Sequence, residues 1–495
     1  MFSRLVTTTL TALVLATGVR GQPAESTADV RESVVKVFST RHYPDLGRPW
    51  SRHPPDEVTG TGIVLEGKRI LTNAHVVKYA GQVSVQPFRS ADKYRATVVA
   101  LAPGIDLAVL ELDDESFFDS HGPVPLSDGL PNLGDSVNVF GYPMGGDALS
   151  ITEGVVSRIE FASYYYETLG LRIQVDAALN PGNSGGPAVA NAEVIGLVFS
   201  RIKEAENIGY VIPIEEIRSF LQDIEDGTYE GRPQLFERTQ TLENLALRAK
   251  LGLAKDTTGV MIIETRRDDP DYPLRAWDVI TAIGDYDIDN AGMVKIDDNL
   301  RLQFRYLVPR LASDGTVAVS VYRQGESLML DVPIQAGANK LVKYLGGDPP
   351  SYFIYGPLVF TPVYAGYARR LSAEYLVRVS NPIATRGGAN REFEGEELVV
   401  VPSPMFPHPI TKGYQVRYAP ILANVNGVKV RNLRHLVETL RDLEDEFVVF
   451  EWADKGTETF VFRRSEIMES TDEILELNGI RAQYSNDLRS IWLGE

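Results

Sequence analysis

The chain carries three kinds of hydrophobic pattern, and each predicts a different element. From residue 58 to about 213, short apolar runs rich in β-branched residues alternate with turn residues, at 62–65, 69–72, 82–86, 94–101, 107–112, 136–140, 151–161, 171–175, 188–199 and 208–212. Many short runs at this spacing predict a β-barrel or sandwich. The period then changes. Ile214, Ile217, Phe220, Leu221 and Ile224 share one face of a helix that Gly227 ends, and 226–233 reads as a linker. Ahead of the β-rich stretch, Val30, Val34, Val35 and Val37 give 27–38 a partly apolar helical face. Residues 41–57, rich in Pro, His, Asp and Arg, show no period and read as a long exposed loop.

The C-terminal half repeats a pattern. Residues 279–288 and 420–430 are each an apolar strand, a Gly turn and a short second strand, followed by a helical run (300–311 and 433–443) and a hairpin turning at Gln324-Gly325 or Lys455-Gly456. Two related modules of roughly a hundred residues each account for this half. Asp285, Asp287 and Asp289 have the start of a calcium-loop spacing, but Asn290 and Ile296 stand where that loop needs glycine and glutamate, so no metal site is expected.

At 495 residues the chain exceeds one ordinary core, and several domains are expected. Residues 1–21 differ from the rest: Arg4 precedes an uncharged stretch, and Val19-Arg20-Gly21 offers a cleavage point, which reads as a secretory signal, with a retained membrane anchor as the alternative. Cleavage would place the protein outside the cytoplasm, in a periplasmic or extracytoplasmic space. The whole chain carries 49 Lys+Arg against 67 Asp+Glu, a net charge of −18, which would repel nucleic acid. With no cysteine, disulfides, thiolate zinc sites and cysteine nucleophiles are all excluded.

Chemistry enters at Asp176-Ala-Ala-Leu-Asn-Pro-Gly-Asn-Ser-Gly-Gly-Pro187, where Ser184 sits among small, turn-forming residues between two apolar runs. A serine in such a turn is ordinary unless the chain also supplies a base and an orienting acid. Of six histidines, five lie in loops or on a helical surface, whereas His75 follows the apolar strand 70–72 directly. Asp106 opens the apolar run 107–112, where a carboxylate is costly without hydrogen-bond partners. The order His75, Asp106, Ser184 is that of chymotrypsin-type hydrolases.

Thr59-Gly-Thr-Gly-Ile-Val64, Leu71-Thr-Asn-Ala-His-Val76, Asp106-Leu-Ala-Val-Leu110, Gly141-Tyr-Pro-Met-Gly-Gly146, the Ser184 motif and Asn207-Ile-Gly-Tyr-Val-Ile-Pro213 together resemble the Deg/HtrA serine proteases. Tyr355-Gly-Pro-Leu-Val-Phe360 and the stretch from Asn424 to Leu436 resemble that family's plant-type, two-PDZ branch. The resemblance implies a mainly β fold: a chymotrypsin-like double β-barrel protease domain at 58–230, then PDZ-like α+β domains at 235–337 and 345–470. Residues 22–57 would be an N-terminal helix and loop, and 471–495 a tail.

The resemblance further implies Ser184 as nucleophile, His75 as general base, Asp106 as its orienting acid, and Gly182, Asn183 and Ser184 as the oxyanion hole. Leu179 would line the specificity pocket, favouring small or medium aliphatic side chains. Val198, Phe199 and Ser200 would pair with an extended substrate. Lys250, Leu251, Gly252 and Leu253 are the candidate loop for a peptide C-terminus, with a helix C-cap as the alternative. In the second module Pro357 removes a donor where donors are needed, which favours assembly or regulation over peptide capture. Tyr164-Tyr-Tyr166 falls in the loop that relays regulatory state, or else covers a barrel end. The implied protein is an ATP-independent endopeptidase acting on unfolded polypeptides as a homotrimer or larger oligomer, without cofactor. The alternative is a catalytically silent chaperone or scaffold.

Overall fold

A computed structural model describes residues 30–495 apart from 166–167, 202–208, 266–270, 338 and 416–417, with the side chains of Ser200 and Arg201 also outside the description. The segment 1–21, Tyr166 and most of the 207–213 motif's start therefore lie outside the described residues.

Two closed barrels of six antiparallel strands hold the first half of the chain. The first takes β1 (Val34–Arg41), β2 (Asp56–Leu65), β3 (Arg69–Thr72), β4 (Ala80–Gln86), β5 (Tyr94–Ala102) and β6 (Leu107–Leu112) in the order β1-β2-β3-β6-β5-β4. The second takes β7 (Ser136–Gly141), β8 (Ser150–Ser163), β9 (Leu169–Val175), β10 (Pro187–Ala190), β11 (Glu193–Arg201) and β12 (Gly209–Pro213) in the order β10-β11-β12-β9-β8-β7. This is the chymotrypsin-like double barrel, with the helix Ile214–Asp223 closing it.

Several expectations are corrected. Of the predicted helix over 27–38, the described residues are helical only at 30–32 and pass into strand β1 at Val34, so the first barrel begins at Val34 rather than near 58. Residues 34–37 are all buried, one face in the barrel and the other against its surroundings, which erases the alternation that marks a strand. The single run 188–199 is a hairpin, because Asn191 and Ala192 both take positive φ, the primed-turn geometry that reverses a strand in two residues. Nor is 41–57 a free loop. Leu46 is buried among Val363, Tyr364 and Ala365 of the second C-terminal module, and Trp50 packs on Phe406. The linker is also fastened, since Tyr229 packs edge-on against Phe220 and Arg232 pairs with Glu216.

The first C-terminal module is a sheet whose edge strand, Arg238–Thr241, pairs among the described residues only with Val260–Glu264. Its core joins that of the second barrel in one continuous apolar cluster. The predicted helix at 300–311 is instead a short strand, a 3₁₀ turn (Phe304–Leu307) and a one-turn helix (Val308–Leu311). In the second module the helix Leu433–Arg441 forms as its spacing predicts. The supposed tail belongs to this module: helix Arg464–Leu477 crosses residue 470, and Leu488 and Ile491 are buried in its core.

Candidate active site

Strand register brings His75 to Asp106. β3 pairs with β6 as Thr72↔Ala108 and Leu71↔Val109, so two residues further on Ala74 faces Asp106. There the Ala74 N–H donates to the Asp106 carbonyl at 3.2 Å, as does the Asn73 side-chain amide at 2.9 Å. The Asp106 carboxylate is turned to His75: Oδ1 accepts the backbone N–H at 2.8 Å, and Oδ2 lies 2.7 Å from Nδ1. An ionised carboxylate only accepts, so the imidazole proton sits on Nδ1 and Nε2 is left as an acceptor. Asp106 is 1% exposed and takes φ +61°, a backbone strain held in place by these four bonds. His408, the other described histidine in direct contact with a carboxylate, has Nε2 on Glu473 and Nδ1 accepting from the Ile410 N–H, so neither nitrogen is left to act as a base.

Ser184 lies in the β9–β10 connection, and its loop is clamped to the first barrel by Thr61. The Thr61 N–H donates to the Ser184 carbonyl at 2.8 Å, and Thr61 Oγ1 donates to the Gly182 carbonyl at 2.7 Å while accepting the Tyr142 N–H at 2.9 Å. The glycines here are obligatory: a Cβ on Gly185, at φ +87°, would stand 2.0 Å from the Thr61 carbonyl oxygen.

The peptide planes around Gly182 are fixed in turn. The Pro181 carbonyl accepts the Met144 N–H at 2.7 Å, and since a trans peptide points its N–H opposite its C=O, the Gly182 N–H is directed away from that contact. Neither the Gly182 nor the Ser184 N–H has an acceptor among the described residues. These are the two donors an oxyanion needs. Asn183 differs from expectation: its N–H donates to the Asn180 carbonyl at 3.0 Å, closing a turn, and its side chain is buried under Gly141. The 143–146 turn that holds Pro181 is itself held by Lys36, a lysine buried in β1 whose Nζ donates to the Gly146 carbonyl and to Asp147, each at 2.9 Å.

Leu179 packs against Gly209, where a Cβ would stand 2.2 Å from its Cδ1. Val198 does not face a substrate: its carbonyl accepts the Gly185 N–H at 2.8 Å and its N–H donates to Gly186 at 2.9 Å, so both its backbone groups hold the Ser184 loop. Phe199 is buried and stacks on Tyr164, ring centres 5.0 Å apart, and the Ser200 side chain lies outside the described residues. Tyr164 is half-buried, with desolvation pushing its phenol well above the ordinary value, while Tyr165 is exposed with its N–H on the Gly104 carbonyl.

Away from this cleft, Leu251, Gly252 and Leu253 donate their N–H groups to Leu247, Ala249 and Arg248 of the helix Leu245–Lys250, with Gly252 at φ +67°. This is a helix C-cap. The expected carboxylate loop is corrected accordingly, because its donors are already engaged. At Tyr355–Phe360 the Gly356 N–H donates to Thr471 Oγ1 at 2.7 Å, and a Cβ there would meet Ile467 at 2.3 Å, so helix Arg464–Leu477 covers the turn.

Thr61, Lys36 and Lys78 were not singled out by sequence reasoning. Lys36 had one available signal, a charge inside the apolar run Val34-Val-Lys-Val-Phe38.

A family profile described as a trypsin-like peptidase domain matches residues 60–197, and one described as a PDZ domain matches 343–487. The Arabidopsis thaliana protein named Protease Do-like 4, mitochondrial, is 36% identical over 460 residues, covering 90% of this chain and 84% of its own. Protease Do-like 2, chloroplastic, from the same plant, is 34% identical, covering 93% and 76%. A solved structure of an HtrA-type protease with a decapeptide covers 63% of this chain and 97% of its own at a TM-score of 0.51 and 24% identity, a likeness of fold.

Proposed function

The chain belongs to the Deg/HtrA family of trypsin-like serine endopeptidases, and on that premise we propose that Ser184 is its nucleophile, His75 its general base and Asp106 the acid that orients the imidazole. The observation that carries the reading is the Asp106–His75 pair, 2.7 Å from Oδ2 to Nδ1, which leaves Nε2 free to take the hydroxyl proton. Attack on a peptide carbonyl then develops an oxyanion, which the Gly182 and Ser184 N–H groups receive. The imidazolium, stabilised by Asp106, passes its proton to the leaving amine, and water repeats the cycle on the acyl-enzyme.

The substrate is an extended, unfolded polypeptide, supported by a backbone-pairing position at Phe199–Ser200 beside the loop and by Leu179, uncharged and medium-sized, at the pocket. Cleavage after small or medium aliphatic residues follows. In the first module, strand Arg238–Thr241 has an edge without a strand partner among the described residues, to which a peptide C-terminus adds. The protein acts in quality control, as a homo-oligomer, outside the cytoplasm. A second reading, delivery to an organelle, has its support in the mitochondrial and chloroplastic names of the plant relatives. The silent-chaperone alternative has the Asp106–His75 contact against it, since a binding protein has no use for an oriented base.

Casein digestion by the purified protein tests the reading, with Ser184→Ala alongside. Cleavage by the parent alone supports it. Equal cleavage by both would remove Ser184 from the mechanism, and cleavage by neither would favour the binding protein.

A further inference from the structure

His75 rides on a helix of one turn, Ala74–Val77, whose N-terminal residue Asn73 supplies no side-chain cap. A helix this short has no stability of its own, so the direction of the imidazole depends on what grips the turn from outside. Asp106 grips its start. The grips at its end come from two other places. Arg41, paired with Asp56, donates from Nη1 to the His75 carbonyl at 2.7 Å. Lys78, the residue that ends the turn by donating its N–H to Ala74, reaches with Nζ to the carbonyl of Leu345 at 2.7 Å. Leu345 opens the second C-terminal module, 267 residues away in the chain.

We propose that Lys78 is a positioning residue for His75, through which the second C-terminal module fixes the attitude of the catalytic turn. The proposal rests on the triad reading given above. Three further observations support it. Lys78 is 8% exposed, and burial pushes its ammonium down to about 8, so an acceptor at Nζ is a requirement of the site rather than an incidental contact. The module is seated firmly enough to act as a fixed point, because Leu46 is buried in its core and Gly347 lies against Leu101 of the first barrel. Around the turn, Tyr43 and Tyr79 meet edge to face at 5.1 Å and Arg41 lies over Tyr43, so the Arg41 and Lys78 grips are packed into one unit. With the Tyr355–Phe360 turn covered by its own helix, this module serves the active site as a wall rather than as a reader of peptide ends.

The test compares Lys78→Met, Lys78→Arg and Leu46→Ala in the full chain, reading kcat and KM separately on a chromogenic peptide, together with Tm. A misdirected base slows the chemical step and leaves binding alone. The expected result is kcat down about tenfold in Lys78→Met with KM within about twofold, most of the loss restored in Lys78→Arg, and a kcat-selective loss in Leu46→Ala, which leaves Lys78 in place but loosens the module. Parent kcat in Lys78→Met, a loss confined to KM, or an arginine variant as slow as the methionine one would each overturn the proposal. Ser184→Ala run in parallel separates the two claims: if that variant still cleaves, the triad reading fails, whereas an inactive Ser184→Ala beside a fully active Lys78→Met defeats only the role of Lys78.

Discussion

Asp106 holds a positive φ, is almost fully buried and accepts two bonds from His75, so its negative charge and its orienting role are one feature. Asp106→Asn presents an amide where only an acceptor serves both contacts, and kcat is expected to fall by about 10⁴ with the fold intact, by the precedent of the serine-protease template. Lys36 acts one layer back. Lys36→Met frees the 143–146 turn and with it the Pro181–Gly182 peptide, so kcat on a short peptide falls toward the roughly 10²- to 10³-fold that loss of one oxyanion donor costs, while KM changes little. The three residues of the proposed triad stood out in the sequence because each lies beside a strand in a distinctive run, His75 just after β3, Asp106 just before β6 and Ser184 in the glycine-rich loop ahead of β10. Thr61 and Lys36 were not, since their meaning comes from partners 121 and 110 residues away. Val198 was placed on the wrong side of its strand's work for the same reason: a backbone engaged by a neighbouring loop looks, in sequence, like a backbone free to pair.

Helix Ile214–Asp223 shows what the elements around the site cost and carry. Glu216 is fully buried in it, accepts the Leu171 N–H at 2.9 Å and pairs with Arg232 at 3.0 Å; beside it Glu215 takes Arg310 and Tyr306 from the first module. Burial pushes the Glu216 carboxyl above its ordinary value, with Arg232 opposing. Arg232→Met leaves that charge uncompensated and is expected to cost about 3–5 kcal/mol, read as a fall in Tm or in the urea midpoint. The pH dependence has a definite sign. A carboxyl whose folded pKa is raised binds its proton more tightly in the folded state, so it favours folding at low pH and loses that advantage as pH rises through the folded value. The Tm deficit of Arg232→Met is therefore expected to be smaller at pH 5 than at pH 8. A deficit that grew on acidification would contradict the burial argument. At this scale the amphipathic helix was legible and β1 was not, because a strand covered on both faces carries no alternation and four valines also fit a helical face.

Across the whole molecule, strand spacing gave a β-barrel or sandwich and the motif resemblance gave the double barrel that the fold has, whereas the way the C-terminal half sits on the barrels was not legible. Residues 42–55 have no period because, apart from the isolated Pro44–Arg52 bridge, they are neither helix nor strand, yet they place Leu46 and Trp50 in the second module, a role visible only once the chain has folded back on itself. If the second module is a wall and the first has the open edge, hydrogen exchange with a peptide ending in an aliphatic residue will gain protection at 238–241 and none at 353–362. Protection at 353–362 would contradict the covered turn. A serine made nucleophilic by the His75–Asp106 pair reacts with a fluorophosphonate at a site and rate that peptide mass spectrometry can map. One adduct is expected, on Ser184, formed rapidly in the parent and slowed by orders of magnitude in His75→Ala. An adduct elsewhere, or labelling of Ser184 at the same rate without His75, would contradict it.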